Sequence, residues 1–142
     1  MFKIAIVCFG VLLAAPAWTQ TLQAQQTQYF EYRCTIVDGV VVAPGGALVR
    51  NASTQEFVRR QSPMTFDTVT GRLQRAAAPA GIFETFSIIG HGNTISSLQA
   101  HDTDLGLGSV LHIRVDMPGP PYSFTLQMSG STYSGTCQRT PI

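Results

Sequence analysis

Charge is scarce in this sequence, and one kind is nearly missing. Charged residues make up 12% of the 142, and lysine occurs once, as Lys3. Without Lys3 the rest of the chain sets eight arginines against eight carboxylates, a net charge near zero. That excludes nucleic-acid binding driven by overall charge, which needs a basic surplus to displace counterions. Cysteine is sparse too, at three, with no two at C-x-x-C spacing, and neither H-x-H nor H-E-x-x-H occurs. No zinc-type ligand set is therefore expected, and no metal or cofactor. The G-x-S-x-G elbow of serine hydrolases is absent. Beyond the first residues there is no internal repeat and no apolar run with helical period over three turns, so long helices and solenoids drop out.

The one long apolar run is N-terminal: Lys3, then Ile4 to Ala15 unbroken, then small residues. It falls short of the roughly 20 residues that span a bilayer and has the layout of a secretory signal peptide. Residues 1–24 are expected to leave after Ala24, with cleavage after Ala17 the alternative. Residues 25–142 then form one domain with one core. The chain is expected to be periplasmic or secreted, with no transmembrane segment in its mature form.

Cys8 lies inside the leader, so the mature chain keeps Cys34 and Cys137 in an oxidising compartment, where they are expected to pair.

Strand patterning dominates what remains. "YFEYRCTIV" puts Phe30, Tyr32, Cys34 and Ile36 on one face. Asp38-Gly39 reads as a tight turn into a second strand that Pro44-Gly45-Gly46 ends. Residues 47–61 fit either a short helix or an irregular edge strand. "SPMTFDTVTGRLQR" reads as a hairpin with Met64, Phe66 and Leu73 inward. "IFETFSII" is a strand broken by "GHGN", and "TISSLQA" one broken by "HDTDLGLGS". "VLHIRVD" turns Leu111, Ile113 and Val115 inward, and "YSFTLQM" turns Tyr122, Phe124, Leu126 and Met128 inward. Ser129-Gly130 makes the last turn, and the final strand carries Tyr133, Gly135 and Cys137 inward. Inward cysteines on the first and last strands predict an all-β fold whose ends meet: a small closed antiparallel barrel or a tight sandwich of about seven to nine strands. The inward aromatics Phe30, Tyr32, Phe86, Tyr122, Phe124 and Tyr133 are large enough to fill it.

Catalytic chemistry has little to stand on. His91, His101 and His112, with Asp102 and Asp104, make an acid–base or metal cluster only if loops converge. Glu31, Glu84 and Asp116 give no fixed carboxylate pair for glycoside hydrolysis. The chain is expected not to be an enzyme. Charge is uneven in one place: Arg50, Arg59, Arg60, Arg72 and Arg75 fall within 26 residues, opposed there by Glu56 and Asp67. Arg59, Arg60, Arg72 and Arg75 are the candidate anion-binding set, for an anionic envelope glycolipid or an acidic envelope protein.

Ser129-Gly130-x-x-Tyr133, with Tyr32-x-Cys34 and a C-terminal cysteine, resembles part of the MliC-type periplasmic inhibitors of c-type lysozymes, small β-barrels that push an S-G-x-x-Y segment into the enzyme's cleft. The resemblance implies that Ser129 and Tyr133 are contact residues. It covers a few residues at each end; here the segment abuts Cys137, and the family's second aromatic and Gly-rich segment is missing. The sequence thus predicts an exported non-enzymatic β-domain that binds a partner or builds the envelope, with a lysozyme-type inhibitor and a small-ligand barrel as the alternatives.

Overall fold

A computed structural model describes residues 29–93, 96–102 and 108–142. The expected leader, Cys8 and Asp104 lie outside the described residues. The chain runs β1 (Phe30–Val42), β2 (Leu48–Val49), α1 (Ala52–Gln61), β3 (Met64–Asp67), β4 (Arg72–Arg75), β5 (Glu84–Asn93), β6 (Ser96–Asp102), β7 (Val110–Ile113), β8 (Tyr122–Met128) and β9 (Ser131–Pro141). Eight of these strands, all but β2, form an antiparallel meander that closes where β1 pairs with β9, so the fold is a closed barrel rather than a sandwich. Closure removes the free edges an open sheet would present. The short β2 pairs beside the far end of β1, Val41 opposite Val49.

The inward faces follow the alternation. Tyr32, Met64, Phe66, Leu73, Leu98, Leu111, Ile113, Phe124 and Leu126 are each exposed by 1% or less. Cys34 and Cys137 face each other directly across the closing pair and form a disulfide, their Cα atoms 3.9 Å apart.

Two expected turns are strand. Asp38-Gly39 does not turn the chain: β1 runs through it, and a bulge between Ile36 and Asp38 absorbs one residue against β9. Gly39 is there for space, since a Cβ would sit 2.7 Å from the Tyr133 ring and 3.2 Å from Thr54. "GHGN" is likewise part of β5, which bulges between Ile88 and Gly90 and continues to Asn93, so His91 is a strand residue.

The undecided stretch, 47–61, contains both a short strand and a helix. Helix α1 starts at the N-cap Asn51, whose Oδ1 accepts from the Thr54 N–H at 2.8 Å while Thr54 Oγ1 accepts from the Asn51 N–H at 3.2 Å, a capping box. Its position follows from a gap. Along one edge β1 pairs with β3 only as far as Cys34 and with β2 only from Val41. The helix covers the interval: the Ile36 N–H donates to Ser62 Oγ at 3.0 Å and Gln55 Nε2 donates to the Gly39 carbonyl at 3.2 Å. Phe57 and Val58 pack onto the core from this end of the barrel.

Candidate functional site

The four candidate arginines are divided by the geometry. Arg59 and Arg60, in the last turn of α1, both pair with Glu56. Arg75 has the inward parity of Leu73 and is largely buried; it pairs with Glu84, and its guanidinium carbon lies 5.1 Å from the Phe57 ring centre. Arg72 faces outward, its guanidinium carbon 4.0 Å from the Phe83 ring centre. The helix end and the β4 end meet where the Ala76 N–H donates to the Gln61 carbonyl, which brings Arg59, Arg60 and Arg75 to one end of the barrel. A hollow of about 170 Å³ beside them is lined by Gln61, Arg75, Ala78, Ile82, Phe83 and Glu84 among others. Arg72 lies instead beside Asp67. Burial alone pushes the Asp67 carboxyl up, but hydrogen bonds from the Thr70 hydroxyl and the Val69 and Thr70 N–H groups, with the Arg72 charge, hold it below the ordinary value.

The two residues implied by the inhibitor resemblance separate as well. Ser129 is exposed at the β8–β9 turn with φ 42°. Tyr133 is buried, its ring stacked on Phe57 with centroids 4.0 Å apart. A side chain so placed cannot enter a partner's cleft without unpacking the helix.

A histidine and a serine meet in one place. His112 Nε2 and Ser97 Oγ are 2.6 Å apart on the outer face. Asp116 follows β7, held by Arg114 through paired contacts of 3.0 Å; the Arg114 hydrogen bond keeps its carboxyl below the ordinary value. His91 packs edge-on against Tyr29 at 5.9 Å, far along the fold in β5. No group of three metal-ligating side chains occurs among the described residues.

His112 also lines two concavities of the outer face. One hollow of about 480 Å³ is lined by Val37, His112, Arg114, Ser123, Thr125, Ser134 and Thr136, with Phe124 and Gly135 as its floor. A second, of about 190 Å³, is lined by Gln99, Val110, His112, Thr125 and Gln127. His112 and Thr125 line both, so the two hollows adjoin on the outside of the barrel and together are called the trough. Its axis is a register row: Gln99 opposite His112, His112 opposite Thr125, Thr125 opposite Ser134, and Ser134 opposite Asp38 beside the bulged Val37. Sequence reasoning placed His112, Thr125 and Ser134 outward one by one and gave Gln99 no face, because the row exists only once the register of five strands is known. The bulge that exposes Val37 had no signal in the local pattern.

Compared with known proteins, the chain matches no family model, no curated protein and no solved structure.

Proposed function

We propose that the protein is an exported, non-enzymatic binding domain of the cell envelope, periplasmic or secreted, that engages its partner with the outer face of a filled barrel. The observation that carries this reading is the packing. Large side chains occupy the interior down to 1% exposure or less, whereas barrels that carry a small molecule keep a lined internal cavity. The hollows described above open outward, and the trough around His112 is the largest of them.

The nucleophile–base contact of Ser97 with His112 is compatible with a binding role. Acyl transfer needs donors preorganised around an oxyanion, and the residues of β6 that follow Ser97, Leu98 to Ala100, are each paired with β5 along one edge and β7 along the other. A hydroxyl hydrogen-bonded to an imidazole on such a face orients side chains and presents polar groups.

The test is to express the full chain with its own leader in a bacterial host, recover it from the periplasm, and assay it for ester, peptide and glycoside hydrolysis beside Ser97→Ala. No turnover, together with specific retention of an envelope component on the immobilised protein, is the expected result. Hydrolysis that disappears in Ser97→Ala would overturn the reading.

A further inference from the structure

Resting on that binding role, we propose that the row Gln99–His112–Thr125–Ser134 is a subsite for a neutral, extended glycan. The first argument is charge. The charged groups beside the row are already paired: Asp38 with Arg50, through contacts of 2.8 and 2.6 Å, and Arg114 with Asp116. An anionic ligand would have to compete with those carboxylates, whereas a neutral one displaces nothing.

The second argument is hydrogen-bond type. Hydroxyl and carboxamide groups both donate and accept. Sugar hydroxyls do the same, so either partner can adjust its donor and acceptor roles to the other. The third is shape. The trough crosses strands β6, β7, β8, β9 and β1 at right angles to their direction, and four inter-strand spacings make roughly 19 Å, the length of three or four linked pyranose rings. A peptide adding to a sheet needs an unpaired strand edge, and this row lies on a sheet face with its strands paired on both sides. The exposed Val37 at one end and Val110 along the wall offer apolar contact for the C–H face of a ring.

The experiment is a backbone-amide NMR titration of the isotope-labelled mature protein with neutral tetrasaccharides: β-1,4-linked N-acetylglucosamine, β-1,4-linked glucose, α-1,4-linked glucose and β-1,4-linked mannose. An acidic oligouronate serves as the contrast. At least one neutral oligomer is expected to shift Gln99, His112, Thr125 and Ser134 saturably. The double variant Thr125→Val, Ser134→Ala should weaken it by about thirtyfold, since it removes two hydrogen bonds worth roughly 1 kcal/mol each and about 1.4 kcal/mol is tenfold; Thr140→Val on the same strand face should leave it unchanged. The inference falls if none of the four oligomers shifts the row at millimolar concentration, if the double variant binds as well as the parent, or if the oligouronate binds better and is released by salt. An envelope component still retained by the double variant would sink the glycan subsite and leave the binding role standing; Ser97-dependent hydrolysis would sink the binding role itself.

Discussion

The Phe57 ring of the helix lies stacked on the Tyr133 ring of the last strand, centroids 4.0 Å apart and planes inclined by 23°. This contact fastens α1 over the stretch of β1 that neither β2 nor β3 covers. It also explains why Tyr133 serves the core rather than the surface. Phe57→Ala is expected to lower stability by about 2–4 kcal/mol, within the range for deleting a packed aromatic. Exposed Gln74→Ala should cost under about 0.5 kcal/mol. Urea midpoints of the two variants check this, and equal midpoints would mean the helix contributes nothing to closure.

Cys34 and Cys137 join positions 103 residues apart. In the chain-entropy treatment a loop of that size is worth up to about 4–5 kcal/mol, because the cross-link restricts the unfolded chain. Residues 25–142, unfolded without reductant, should show no reactive thiol, and reduction should lower the denaturant midpoint. Two titratable thiols before reduction would contradict the pairing.

Phe124 and Thr125 are neighbours on β8 with opposite fates, one 1% exposed in the core and the other in the trough. Phe124→Ala should cost about 3–5 kcal/mol and Thr125→Ala under about 1. Calorimetry or urea titration decides it; similar losses would reverse the strand phase.

That strand phase was legible in the sequence because alternation is a property of each strand alone. The inward residues of β8, Tyr122, Phe124 and Leu126, needed only a period of two. Turns were misread where a glycine serves packing. Asp38-Gly39 has the composition of a hairpin turn, yet Gly39 is required by the Tyr133 ring on the paired strand and by Thr54 on the helix, partners no local window contains. The helix was ambiguous for a related reason: Phe57, Val58 and the buried Thr54 make too short an apolar face to announce a helical period, and α1 is held by its capping box and by the uncovered edge of β1. Among the candidate arginines, proximity in sequence did not mean a shared face, since Arg72 and Arg75 sit three positions apart on a strand and point to opposite sides.

Three carboxyls are held below their ordinary value in the fold: Asp38 by the Arg50 hydrogen bond, Asp116 by that of Arg114, and Asp67 by its turn hydrogen bonds, which outweigh its burial. A depressed folded-state value means a contribution fully present above the unfolded value, about 3.9 for aspartate, and lost as pH falls through the folded one. Tyr32 works in the opposite direction. Burial pushes its phenol up, with Arg139 partly opposing, so its contribution persists below about pH 10 and is lost above it. Urea midpoints should therefore be level through neutral pH and fall on both sides, with Asp67→Asn flattening the acid limb and Tyr32→Phe the alkaline one. An acid limb unchanged in Asp67→Asn would show that the turn carboxylate carries no such weight.

Arg75 and Glu84 form the least exposed ion pair among the described residues, with side chains 14% and 26% exposed, and Arg75 Nε is buried without a partner. Losing one member of a buried pair leaves the other charged and poorly solvated, which costs about 3–5 kcal/mol when burial is complete. Partial exposure here reduces that to about 1–3 kcal/mol. Arg75→Met should thus destabilise markedly, while the double variant Arg75→Met, Glu84→Leu, which removes both charges, should recover most of the loss. Arg59→Ser and Arg60→Ser, exposed and sharing Glu56, should each stay within about 0.5 kcal/mol of the parent. The same variants address the anion-binding expectation. If Arg59, Arg60 and Arg72 contribute a surface for anionic glycolipid, then Arg59→Ser, Arg60→Ser, Arg72→Ser, with Arg75 intact and the fold unchanged by circular dichroism, should lose salt-sensitive binding to vesicles containing that lipid. Binding that persists in the triple variant would assign these arginines to ordinary solvated surface, with Arg59 and Arg60 serving their pairing with Glu56.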